Sequence, residues 1–395
     1  MAINRLLLSL LLLATTALAD DDPLQPAERD FLFDFSRANF AAYQVAVRSY
    51  VRQQRVFLSV DRQDEELEMI LPFEFPPDEN CEGPTKGILL VHGILDTSFG
   101  MRDIGKRLQA ECFLVRGILL PGHGTRPGEM IDVTADEWLT AVRFGVRTLK
   151  QDVDDVYLGG FSLGGLLSTI VMLEDDSIKA GVLFAPALKT YYEFLVRQAG
   201  WLSAIRTWLN KDEAPLPVRY QAMSTNAVAQ VSALIERYRL LAVNGVSIPS
   251  YVVVSYEDLT VDGEGVANEF VERFTHPDSR LEIYATSGQP PDARSRVDSI
   301  FDAETRVRDM AHVAIPFRDD NPVFGRDTSF RDCGAVLPII RRSDVRACEQ
   351  ADKNWRGELT SGIPDDFKPI QRLTYNPMFD ETMDRVVAFL NGIDD

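Results

Sequence analysis

Residues 157–171 read YLGGFSLGGLLSTIV. The stretch runs from an apolar segment through a glycine pair, a serine and a second glycine pair into another apolar segment. Ser162 is the centre of a G-x-S-x-G pattern, GFSLG. The pattern alone carries little weight, because glycine and serine are common residues. Its setting decides the reading. DDVYLG before it has the makings of a buried strand, and LGGLLSTIVMLE after it has the makings of a helix. A strand that turns sharply into a helix holds a serine hydroxyl at the tip of the turn. Such a turn needs small neighbours, and Gly159, Gly160, Gly164 and Gly165 supply them. The helix N-terminus beside Ser162 also favours developing negative charge.

A serine hydroxyl attacks only with the help of a base. The chain has four histidines. His92, in LLVHGIL, and His123, in LLPGHGTRPG, both precede the serine. Where the serine sits on a strand-to-helix turn, the acid and then the histidine follow it along the chain. That order leaves His276, in FTHPDS, and His312, in RVRDMAHVAIPF. His276 reads as a surface-loop histidine too close to the candidate acids, so His312 is the expected base. The acid should lie just past a strand tip. YVVVSYED ends in Glu257 and Asp258, with Asp262 shortly after. Asp258 fits best: Glu257 should point to the opposite side of the extended chain, and Asp262 opens the helix-like DGEGVANEFVERF. Two backbone N–H groups complete the expected site. One is that of Leu163, after the serine; the other is that of Ile94, in the turn that follows His92 and Gly93.

Around this centre the chain alternates strand-like and helix-like segments. KGILLVHG, CFLVRGILLPGHG, DVYLGGF, KAGVLFAPA and SYVVVSYEDLTVD read as strands. SFGMRDIGKRLQAE, TADEWLTAVRFGVRTLKQD and SLGGLLSTIVML read as helices, the second opened by a Thr134–Glu137 capping box. This rhythm predicts an α/β fold with a mostly parallel central sheet and helices on both faces. Residues 188–246 interrupt it with helical, tryptophan-bearing segments and no strand, which predicts an inserted helical cap at about 188–246. The α/β body is expected over 81–395, preceded at 20–80 by a helical segment and the first strand or strands. In that segment Phe31, Phe35, Phe40, Tyr43, Val47 and Val51 recur at helical spacing, and ELEMILPFEF reads as extended.

The first residues form a different pattern. Arg5 precedes LLLSLLLLATTAL, and the run ends in the small-x-small site Ala17-Leu18-Ala19. This predicts a secretory signal peptide over residues 1–19, too short for a comfortable membrane span. The protein is therefore expected to be exported, periplasmic or secreted, with no stable membrane anchor. The four cysteines, an even number in an exported chain, suggest two disulfides. Of three possible pairings, Cys81–Cys112 with Cys333–Cys348 is preferred, because Cys81 and Cys112 each precede a strand and the starts of neighbouring parallel strands lie close together. A net charge of −19 with no basic stripe argues against nucleic acid as a partner. The cysteine and histidine spacing gives no metal-binding pattern.

Taken together, LLVHGILD, LLPGHGTRPG, GGFSLGG, VVVSYEDLTV and the late AHV resemble the α/β-hydrolases, and within them the monoacylglycerol lipase and bacterial carboxylesterase group, often described as serine-aminopeptidase-like. The resemblance spans about residues 86–313. It implies Ser162, Asp258 and His312 as a triad and Ile94 and Leu163 as oxyanion donors. It also implies a structural PGHG loop that puts His123 near the site without a catalytic role. The expected substrate is a small ester with an apolar acyl group, and no cofactor or metal is required. A serine peptidase or a non-catalytic binding protein on the same scaffold are the alternatives. Two departures stand out: an insertion around SGQPPDARSRVDSIFD, between the acid and the histidine, and a long segment after His312.

Overall fold

The apolar runs flanking Ser162 lie at the centre of a single large sheet. The computed structural model describes residues 22–26, 31, 33–81, 85–191, 206–211, 216–334, 342–360 and 362–394. The expected signal peptide therefore lies outside the described residues. The sheet contains β1 (Phe73–Phe75), β2 (Lys86–Val91), β3 (Leu114–Gly117), β4 (Asp155–Phe161), β5 (Gly181–Phe184), β8 (Ser250–Ser255), β9 (Arg280–Tyr284) and β10 (Ser295–Asp298). Its order is β1-β3-β2-β4-β5-β8-β9-β10. β1 runs antiparallel to β3, and the other pairings are parallel. Two short pairs lie apart from it: β6 (Trp208–Asn210) with β7 (Met223–Ser224), and β11 (Trp355–Gly357) with β12 (Ile370–Arg372).

Buried strands with both faces covered need apolar side chains at every position, not every second one. β2 meets this requirement: Ile88 and Leu90 join the core on one face, and Leu89 and Val91 the core on the other. The first face is covered by α3 (Arg102–Gln109) and the C-terminal helix α9 (Phe379–Asp394), through Ile104, Leu108, Val386 and Leu390. The second carries α4 (Ala135–Leu149) and α5 (Leu163–Glu174), through Trp138, Val142, Leu166 and Ile170. Thr134 and Glu137 form a complete capping box at the start of α4. Helix α6 (Thr225–Leu241) joins this second layer through Val231, Leu234 and Ile235. Of the cap expected at about 188–246, residues 192–205 and 212–215 lie outside the described residues; the described remainder includes α6 and, against the expectation of no strand, β6 and β7, which are too short to show a strand's alternation and pair only with each other.

Two further local expectations differ from the structure. Helix α1 (Phe40–Gln54) begins only at Phe40, because the Asn39 side chain accepts the Ala42 N–H and caps it there. Phe31, Phe33 and Phe35 precede it and pack as an aromatic cluster with Tyr43 and Phe144. The stretch before β1 is partly helical: α2 (Gln63–Ile70) carries Asp64, Glu65 and Glu66 in its first turn, where the helix dipole favours them. The expected insertion around SGQPPDARSRVDSIFD carries a strand, β10, which extends the sheet beyond β9.

Two disulfides are formed. Cys81–Cys112 joins the segments that lead into the neighbouring parallel strands β2 and β3, with a Cα–Cα distance of 5.6 Å. Cys333–Cys348, at 5.8 Å, ties β12's surroundings to helix α8 (Arg342–Gln350). Among the described residues no helix is long and apolar enough to cross a membrane.

Candidate active site

The carboxyl ends of the parallel strands converge on Ser162, the region where open α/β sheets hold their ligands. Ser162 follows β4 directly and has φ +54° and ψ −115°. A non-glycine residue at positive φ is strained and persists only where its surroundings fix it. Here the Ser162 N–H donates to the Phe184 carbonyl at 2.9 Å, and its carbonyl accepts from Leu166 and Ala187. The glycines make the turn possible by close approach. A Cβ on Gly160 would stand 2.3 Å from the Gly164 backbone, and one on Gly164 would stand 2.0 Å from the Val91 carbonyl oxygen.

The loop after β8 carries Asp258, and a long connection beyond β10 returns His312 beside it. His312 Nε2 lies 3.0 Å from Ser162 Oγ, and its Nδ1 lies 2.5 Å from Asp258 Oδ2. All three side chains are buried. Asp258 Oδ1 accepts the N–H groups of Thr260 and Val261 at 2.6 and 2.9 Å, so the carboxylate is held from its own loop. The His312 ring packs on Phe161, the residue before the serine, with centroids 4.8 Å apart. The other acids point elsewhere. Glu257 Oε1 accepts from Thr286, and Asp262 caps α7 (Gly263–Arg273) through the Gly265 N–H. His276 lies by Asp278 instead.

Ile94 and Leu163 present backbone N–H groups with no hydrogen bond among the described residues. That of Leu163 belongs to the first turn of α5, whose N–H groups have no carbonyl within the helix to reach. The Ile94 turn is pinned from two sides. Leu95, at φ +64°, donates its N–H to His123 Nε2 at 3.1 Å. The Leu95 carbonyl accepts the Tyr220 N–H at 2.7 Å. His92 works in the same way one layer deeper: its Nε2 accepts the Leu120 N–H at 3.0 Å, and its Nδ1 lies 2.8 Å from the Gly93 carbonyl. A ring nitrogen that accepts must be unprotonated. Burial, with the neighbouring His123 adding to it, pushes His92 well below its ordinary value, and burial brings His123 down to about 4. Both rings are therefore neutral braces of the turn that carries Ile94. The N-terminal segment braces the same region: Arg55 bonds the carbonyls of Gly124 and Pro217, and Arg126 that of Gln54.

Sequence reasoning gave no sign of the residues behind His312. Glu358, fully buried, accepts the His312 N–H, and Arg372, Arg308 and Asp309 surround it. Glu358 lies 46 residues from His312, in a segment with no recognisable motif.

Residues 82–239 match the family model described as serine aminopeptidase, S33. A thermostable monoacylglycerol lipase of Bacillus sp. (strain H-257) is 33% identical over 101 residues, 26% of this chain and 40% of that protein. A carboxylesterase of Bacillus subtilis (strain 168) is 29% identical over 98 residues, 25% of this chain and 37% of that protein. The chain thus spans about two fifths of the length of these curated relatives. Among solved structures, a monoacylglycerol lipase of Paleococcus ferrophilus superposes with a TM-score of 0.45 at 22% identity, over 55% of this chain and 89% of that one. The strand order and the serine turn are those of an α/β-hydrolase fold, and residues 82–239 are similar to the family that this model describes, as a quarter of the chain is to a monoacylglycerol lipase and a carboxylesterase.

Proposed function

We propose that the protein is an exported serine hydrolase that cleaves carboxylic esters with an apolar acyl group through an acyl-enzyme. The observation that carries this reading is the hydrogen-bonded chain Ser162 Oγ–His312 Nε2 and His312 Nδ1–Asp258 Oδ2, at 3.0 and 2.5 Å. Ser162 Oγ attacks the ester carbonyl carbon while His312 Nε2 takes its proton. Asp258 keeps the imidazole oriented and stabilises its charged form. The N–H groups of Ile94 and Leu163 receive the oxyanion, each worth on the order of 10²–10³ in rate. The imidazolium then protonates the departing alcohol. A water molecule, deprotonated by His312, attacks the acyl carbon and releases the acid and free Ser162. This chemistry calls on no cofactor or metal.

The relatives' names favour esters, as a monoacylglycerol lipase and a carboxylesterase are both ester hydrolases by name. The segment at about 188–246 is read as a cap that shapes the acyl pocket; the contact of Tyr220 with the oxyanion turn agrees with that placement. Export is supported by the paired cysteines, since disulfides persist in oxidising compartments. The family model's description favours a second reading, a peptidase. A fluorophosphonate probe tests the shared core of both: it should modify Ser162, located by peptide mapping, and leave Ser162→Ala unlabelled. Ester and peptide substrates offered side by side then separate the two readings.

A further inference from the structure

Behind His312, away from Ser162, the structure buries a second carboxylate. Glu358 Oε2 accepts the backbone N–H of His312 at 3.3 Å. Glu358 Oε1 accepts the N–H of Leu359 at 3.0 Å and Nε of Arg372 at 2.8 Å. The pair is fully enclosed, with side-chain exposures of 6% for Arg372 and 0% for Glu358. Glu358's own backbone is fixed at both ends: its N–H donates to Asp309 Oδ1 and its carbonyl accepts from Arg308 Nη2, each at 2.6 Å. Arg308 and Asp309 also pair with each other. Arg372 continues the chain of contacts to Asp332, next to the Cys333–Cys348 disulfide.

Enclosing an ion pair strips water from both charges before the pairing is counted, and a well-packed apolar pair is often as stable. The Glu358–Arg372 pair is thus a costly way to hold a fold together. Its placement offers a chemical reason. One oxygen touches the backbone of the histidine whose charge changes during the reaction. The charged groups around His312 are Asp258 from the loop after β8, Arg308 and Asp309 from its own loop, Glu358 from the segment after β11 and Arg372 from β12. Arg372 also feels the charge of Asp258.

We propose that Glu358 is a positioning residue for the base: held by Arg372, it fixes the His312 backbone and places a negative charge that favours the imidazolium formed when Ser162 gives up its proton. This rests on the reading of His312 as the base. It gives the long segment after His312 a role in the reaction, as the part of the chain that supplies both Glu358 and Arg372.

The test compares wild type, Glu358→Gln and Glu358→Ala in the full disulfide-bonded chain, measuring kcat, KM, thermal midpoint and the pH profile of kcat/KM on a p-nitrophenyl ester. Glutamine keeps an oxygen for the His312 N–H but loses the charge, leaving Arg372 with the more distant carboxylate of Asp332. Glu358→Ala should lose at least about tenfold in kcat with KM little changed. Glu358→Gln should recover most of that loss while moving the acid limb of the profile to lower pH by about half a unit or more, because removing a nearby negative charge disfavours the imidazolium. An unmoved limb in Glu358→Gln, or an alanine variant as active as wild type, overturns the proposal. Should Glu358→Ala fail to fold, Glu358→Ala/Arg372→Met removes both charges together; that folded variant must show the same fall in kcat, and wild-type kcat in it counts against the proposal. A wild type that turns over no ester and takes up no fluorophosphonate would sink the reading of the site itself. Wild-type turnover with silent Glu358 variants sinks only this inference.

Discussion

The Nε2 atom of His123 accepts the Leu95 N–H at 3.1 Å, one residue beyond Ile94, whose N–H we propose as an oxyanion donor. On that proposal His123 is a strut of the turn that carries Ile94. His123→Ala leaves the Leu95 N–H without its partner and lets the turn relax. The expected result is a fall of about 10–100-fold in kcat with KM little changed, since loss of one oxyanion donor costs about 10²–10³ in full. Steady-state kinetics on a p-nitrophenyl ester checks this. A rise in KM at constant kcat would place His123 in substrate binding instead.

Asp96 lies in the same turn and is buried. Burial pushes its carboxyl up to about 7, with the Thr97 N–H and the Arg219 charge opposing. An acid raised in the folded state holds its proton more tightly there than in the unfolded chain. Stability therefore falls as pH rises from about 4 to about 7, and the penalty stays in place above that. At about 1.4 kcal/mol per unit, the ceiling is about 4 kcal/mol. Asp96→Asn should unfold at higher urea than wild type at pH 8, with the gap closing near pH 4. Identical pH dependence in the two proteins would contradict this.

Asp258→Asn keeps an oxygen for the N–H groups of Thr260 and Val261, so the loop should hold its shape. The amide, however, can present an N–H to His312 Nδ1 and favour the tautomer that cannot take the Ser162 proton. The expected loss in kcat is on the order of 10⁴, with the thermal midpoint within a few degrees of wild type. A loss below tenfold would show that another group orients His312.

Much of this arrangement could be read from the chain because each feature is local. The Thr134–Glu137 capping box is set by two residues three apart. The strand runs are continuous because their strands are covered on both faces. The serine turn carries its own glycines, chain order set aside His92 and His123, and closeness to the candidate acids set aside His276. What escaped depends on distant partners. Phe31 and Phe35 share helical spacing with α1, yet Asn39 caps the helix after them and Phe144 gathers their rings. β10 pairs with β9 although its polar, arginine-bearing sequence lacks a strand's apolar alternation. Glu358 and Arg372 are single charged residues whose meaning comes only from their burial against His312. The neutral state of His92 and His123 likewise follows from the N–H groups they accept.

Hydrolysis of a p-nitrophenyl ester series from acetate to palmitate, by wild type and Ser162→Ala, tests the central claim most directly. The account predicts turnover by wild type with a distinct chain-length optimum. It predicts a loss of at least about 10⁴-fold in kcat for Ser162→Ala, whose far-ultraviolet circular dichroism should match wild type. Ester turnover that survives in Ser162→Ala, or a folded wild type that cleaves none of the series, would contradict it.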